Sequence, residues 1–153
     1  MLQPISAQKN KGFSLIEMMI SIVIIMISLL ALNQMIVVSM EANLSNELRS
    51  AAVRLTNQTA EALLAIPTTP DAAIDPLVSA GTWTRIQSNA YQDSVGLPKK
   101  QQTVRGSMTA FDISWTVADN TSTVKQIQIT VSYPYKGQTK TNSTTIFKHS
   151  SGM

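Results

Sequence analysis

The chain has 153 residues and a formal net charge of +3; 44% of it is apolar and only 14% is charged, where soluble domains average about 25% charged. With no cysteine, it can build neither a disulfide scaffold nor a thiolate metal or iron–sulfur site, nor a cysteine lipid anchor. Its single histidine, His149, cannot by itself make a catalytic triad or a histidine-rich metal centre. Basic residues do not cluster among aromatics, so no direct nucleic-acid partner is expected.

In chain order, residues 1–12 are short and polar, with Lys9 and Lys11 as the charges. Phe13–Met40 is almost wholly apolar, and Met18–Met40 carries no charge, proline or glycine. Its interruptions are Ser21, Ser28, Asn33, Gln34 and Ser39. At about 1.5 Å per residue this segment reaches roughly 35 Å, enough for a hydrocarbon core of about 30 Å. In lipid the backbone must satisfy its own polar groups, so a helix is expected. Lys9 and Lys11 precede the span and Glu41 and Glu47 follow it. The positive-inside rule then places the N-terminus in the cytoplasm and the remainder outside. A cleaved secretory signal is the competing reading, but its apolar region usually runs only about 7–15 residues.

Residues 41–66 continue as a helix. Leu44, Leu48, Ala51, Leu55, Ala62 and Ile66 recur near one face, while Arg49, Arg54 and Glu61 fall mostly elsewhere. Pro67 is the first breaker, so Phe13–Ile66 is expected to form one helix about 80 Å long. Its first half is apolar all round and its second half amphipathic, and that second half needs a partner.

Residues 67–153 should supply it. Pro67, Pro70, Pro76 and Gly81 open a loop-rich stretch. A short strand is expected at Trp83–Gln87, and a loop over 88–102. Phe111, Ile113, Trp115 and Val117 then alternate with polar residues, as do Ile127, Ile129, Val131 and Tyr133. Turns are expected at Asp119–Thr123 and Tyr135–Gln138, and a last strand over Thr139–Lys148. The result is an antiparallel meander of at least three strands, with one apolar face to cover a single partner.

The junction reads Lys11-Gly12-Phe13-Ser14-Leu15-Ile16-Glu17. A carboxylate at the mouth of an apolar span is costly if drawn into lipid, on the order of 3 kcal/mol. Glu17 is either an interfacial acid favoured by the helix dipole or an acid whose cationic partner comes from another subunit. Gly12 is either a simple helix-start residue or a flexible site for a protease. Local physics leaves both choices open.

A short basic leader ending in glycine, then Phe-Ser-Leu-Ile-Glu, then a long apolar helix resembles the N-terminus of type IV prepilins over residues 9–40. The resemblance implies cleavage after Gly12 by a prepilin peptidase and methylation of the new amino terminus at Phe13. It also implies that Glu17 pairs with the amino terminus of a neighbouring subunit during assembly. The fold it implies is α+β and pilin-like, a long N-terminal helix packed by its second half on a C-terminal antiparallel sheet. The expected organisation is a 1–12 cytoplasmic leader, a 13–40 membrane and filament-core helix, its 41–66 amphipathic continuation and a 67–153 periplasmic region. The strands Ile113-Ser114-Trp115-Thr116-Val117 and Lys125 through Tyr133 further resemble minor pilins of the PilV kind (type IV pilus modification proteins) and I-class pseudopilins. Gln34 stands where many major pilins have a kinking proline.

The reading is a structural minor pilin subunit held in the inner membrane, then assembled into a pilus or pseudopilus. Its implied partners are the prepilin peptidase/methyltransferase, other major and minor pilins or pseudopilins, and membrane lipid. The alternatives are a type II secretion pseudopilin and a single-pass anchored periplasmic binding module. No enzyme activity, cofactor, catalytic residue or metal site is expected, because no nucleophile with a base, phosphate loop or carboxylate pair can be placed.

Overall fold

A computed structural model describes residues 12–67, 75–121 and 124–149. The leader residues through Lys11, together with Pro70 and Asp71, lie outside the described residues. Contacts divide the chain into two units, Met1–Ala42 and Asn43–Met153.

Helix α1 runs Leu15–Ala65, close to the expected Phe13–Ile66. No proline or glycine interrupts it, and it stops ahead of Pro67, whose ring disfavours helical backbone at the residue before it. Within the second unit α1 is amphipathic. Leu48, Ala51, Ala52, Leu55, Thr56, Thr59, Ala60, Ala62 and Leu63 are buried at the three-to-four spacing of one face. The alanines keep that face thin. Thr56 and Thr59 fold their hydroxyls back onto the carbonyls of Ala52 and Leu55, at 2.8 and 2.7 Å, so neither brings an unsatisfied group into the core. Leu44, expected on the same face, is exposed. The core around this part of the helix reaches only Leu48, where it meets Val104, Phe111 and Tyr133.

The partner is a four-stranded antiparallel sheet in which the first strand of the chain lies at one edge and the last three follow in sequence order. Its strands are β1 Gly81–Thr84, β4 Asp112–Thr121, β5 Val124–Tyr135 and β6 Gln138–His149. Strands β2 Gln101–Val104 and β3 Ser107–Ala110 form a separate hairpin. The register sets Val117 opposite Ile127, Trp115 opposite Ile129, and Ile113 opposite Val131. All six are buried, which is the period-two face read from the sequence. Trp115, the largest fully buried side chain, donates Nε1–H to the Leu77 carbonyl at 2.8 Å. Phe111 and Tyr133 stack tilted at 5.7 Å in a second apolar cluster.

Two local expectations are corrected. The strand expected at Trp83–Gln87 ends at Thr84, because the next side chain, Arg85, turns into a buried polar cluster. The loop expected over 88–102 contains helix α2, Ala90–Ser94, and the start of β2. Asn89 caps α2 by accepting from the Gln92 N–H at 2.9 Å, a standard N-cap role for asparagine. Within the expected turn region Asp119–Thr123, β4 continues to Thr121, with a register shift between Asp119 and Thr121, and Ser122 and Thr123 lie outside the described residues. The last strand, expected roughly over Thr139–Lys148, spans Gln138–His149. Its connection from β5 uses Lys136 and Gly137 at φ 50° and 73°, the left-handed pair that a two-residue hairpin turn requires. Arg105 and Gly106 do the same for β2 and β3, at 49° and 78°.

Candidate functional site

The helix begins where the motif predicts a junction. The Ser14 carbonyl accepts the Glu17 and Met18 N–H groups at 3.0 and 3.2 Å, so Gly12 and Phe13 lie just outside α1 and Glu17 lies in its first turn. There the unpaired N–H groups and the helix dipole favour a carboxylate. Phe13 is 82% exposed. A side chain added at Gly12 would meet no heavy atom of the described residues within 4 Å, and its φ is not in the left-handed region. Nothing in the fold itself therefore demands glycine there.

Beyond Glu17 the helix presents a continuous apolar surface. Large hydrophobic residues from Met18 to Met40 are all at least half exposed. Among the described residues one helix is long and apolar enough to cross a membrane, and its most apolar stretch is wholly uncovered. In water, burying each such side chain would be worth about 1.5–3 kcal/mol, so this surface requires lipid or other helices. Ser21 and Ser28 donate their hydroxyls to the carbonyls of Glu17 and Ile24, both at 2.8 Å, and so cost little in an apolar setting. Asn33 and Gln34 make no side-chain hydrogen bond among the described residues.

In the second unit two polar devices escaped sequence reading. Lys148 lies on the core-facing side of β6, opposite Lys125, and is 5% exposed. Its Nζ donates to the carbonyls of Leu63 at 2.6 Å, Leu64 at 3.0 Å and Ile66. A cation thus closes the carbonyl end of α1, where the dipole favours it. Burial pushes the Lys148 ammonium below its usual pKa, and the nearby Asp75 carboxylate partly opposes this. Asp75 itself accepts the Leu77 N–H at 2.8 Å and the Tyr91 hydroxyl.

The second device is built on Arg85, 2% exposed. It donates to the carbonyls of Pro98 at 3.0 Å and Ile86 at 2.6 Å, to Gln92 Oε1 at 3.0 Å, and to Asp93. Gln92 returns a bond to the Thr84 carbonyl at 3.1 Å. This cluster fixes the excursion from β1 through α2 to β2. A cation next to a strand in a polar sequence gives no such signal; the Asn89-to-Gln92 spacing, which resembles a capped helix start, is the one local signal that could have found α2, and the region was read as a loop.

Residues 7–33 match the family model described as the prokaryotic N-terminal methylation motif. No curated protein and no solved structure matches the chain. The match covers less than a fifth of the sequence and takes in Gly12, Phe13, Glu17 and much of the exposed apolar helix. The chain thus carries a prepilin-type N-terminus, the kind borne by type IV pilin and pseudopilin-like subunits, followed in sequence by an α+β region of pilin-like architecture. Such an N-terminus implies processing by a prepilin peptidase and assembly with other pilins, and is consistent with inner-membrane anchoring.

Proposed function

We propose that the chain is a minor structural subunit of a type IV pilus, of the PilV kind. Before assembly its apolar helix holds it in the inner membrane, with the N-terminus cytoplasmic and the sheet region periplasmic. A peptidase cuts after Gly12 and the new amino terminus at Phe13 is methylated. In the filament the apolar half of α1 exchanges lipid for neighbouring helices, so packing and polar pairing drive assembly rather than transfer out of water. The carboxylate of Glu17 pairs with the Phe13 amine of the adjacent subunit.

The observation that carries this reading is the methylation motif over residues 7–33 leading directly into an uncovered apolar helix. The open surroundings of Gly12 add support, because a glycine the fold does not need suits an external enzyme. The PilV assignment rests on the alternating β4 and β5 strands around Trp115 and Ile129.

The test is mass spectrometry of the N-terminal peptide from host membranes, followed by immunogold labelling of sheared pili. A chain starting at methylated Phe13 and present in pili is the expected result. A chain retaining its leader in a peptidase-competent host would overturn it, and a processed chain absent from pili but required for secretion would move it to a pseudopilus.

A further inference from the structure

Two primary amides stand in the apolar span with no hydrogen-bond partner for either side chain among the described residues. Glu17 and Glu41 bracket the span, and its midpoint falls at Leu29. With 1.5 Å of rise per residue, Asn33 and Gln34 lie about 6–7.5 Å past that midpoint. The half-thickness of the hydrocarbon core is about 15 Å, so both amides sit inside it. Neither amide bonds the helix backbone among the described residues, although α1 is unbroken through this point. The serines of the same span solve the problem locally, through bonds to carbonyls four residues back.

The wheel positions of the two amides give them a common direction. At about 100° per residue they are neighbours around the helix, and Leu30 and Val37 fall within about 10° of the line between them. These two apolar residues, a heptad apart, form the centre of a seam with an amide on each side.

We propose that Asn33 and Gln34 join two copies of this chain in the bilayer through interhelical amide hydrogen bonds, with Leu30 and Val37 packed between. A primary amide is both donor and acceptor and therefore complements itself. Two copies inserted under the same charge rule have the same orientation, so their amides arrive at the same depth. A second copy meets this condition automatically; any other helix would need its own polar group at that level. The proposal rests on the membrane reading of α1 and extends it to a paired state before assembly.

The experiment uses the full chain in phosphatidylethanolamine–phosphatidylglycerol vesicles. Flotation reports insertion, and energy transfer between donor- and acceptor-labelled copies reports pairing as the protein-to-lipid ratio is varied. The wild type is expected to float and pair. Asn33→Leu combined with Gln34→Leu should float equally well but pair at least tenfold more weakly, equivalent to about 1.4 kcal/mol. The exchange Asn33→Gln with Gln34→Asn, which keeps two amides, should retain most of the pairing. Equal pairing by the double-leucine variant, or a floating wild type that does not pair, would overturn this proposal alone. Failure of the wild type to float would overturn the membrane reading and this proposal with it.

Discussion

The Nζ of Lys148 donates to the Leu63 carbonyl, 85 positions earlier in the chain, at 2.6 Å. With Leu64 and Ile66 also accepting from it, one side chain of the last strand satisfies the carbonyl end of α1. Helix ends leave up to four carbonyls unpaired, and here the cap comes from the sheet rather than from a glycine turn. Lys148→Met should therefore destabilise the fold, by about 2 kcal/mol. The relief of no longer burying a charge offsets part of the loss, which keeps the estimate low. Urea unfolding of the detergent-solubilised chain, followed by tryptophan fluorescence, measures it; an unchanged midpoint would exclude the capping role.

The same lysine sets a pH dependence. Its folded pKa lies below the usual 10.5, so between the two values the unfolded chain binds more protons, and stability rises with pH through that window. Below the folded value the cost of burying the charge is present in full. The wild-type urea midpoint is expected to climb as pH approaches 10.5, and Lys148→Met should lack that increment. A wild-type increment no larger than the variant's would contradict the assignment.

Arg85→Met removes donors from two carbonyls and from Gln92 in a buried cluster. The expected cost is about 2–3 kcal/mol, with no addition for the Asp93 pair, whose carboxylate is 41% exposed and largely screened by water. Hydrogen exchange should show the loss concentrated in residues 85–98. Uniform loss over the whole sheet would mean that the cluster does not act locally.

Gly12→Ala should leave folding untouched, because an added Cβ has no neighbour within 4 Å among the described residues. The leader should nevertheless remain attached in a peptidase-competent host. Efficient cleavage of this variant, seen as a shift on denaturing gels, would remove the processing role from Gly12.

Glu17→Ala should still be cut and methylated yet enter filaments poorly when no wild-type copy is present. Normal abundance in sheared pili would rule out the pairing role.

The parts legible in the sequence were those with long, repeated patterns. The apolar run from Phe13 to Met40 and the alternation around Trp115 and Ile129 each repeat one physical requirement many times, so helix, strands and apolar face were readable. Gly12, Phe13 and Glu17 were legible as a motif, by resemblance rather than by local physics. The β2–β3 hairpin was not, because Gln101–Val104 and Ser107–Ala110 are short and barely alternate, and Arg105-Gly106 is a weaker turn signal than Asn-Gly. Lys148 and Arg85 were invisible for a different reason. Each is a surface type of residue that becomes buried only because carbonyls from distant segments converge on it, and that convergence exists only in the folded chain.

The antiparallel partner of β5 also governs the order in which the fold can close. Until β6 is synthesised and paired, the carbonyls of Leu63, Leu64 and Ile66 have no ammonium and Thr56 has no bond from Asn142, which otherwise donates to it at 2.9 Å. Both closing contacts span more than 80 residues, and such non-local contacts form late and slowly. A chain arrested before β6 would hold its helix with an open end and an unpaired β5 edge.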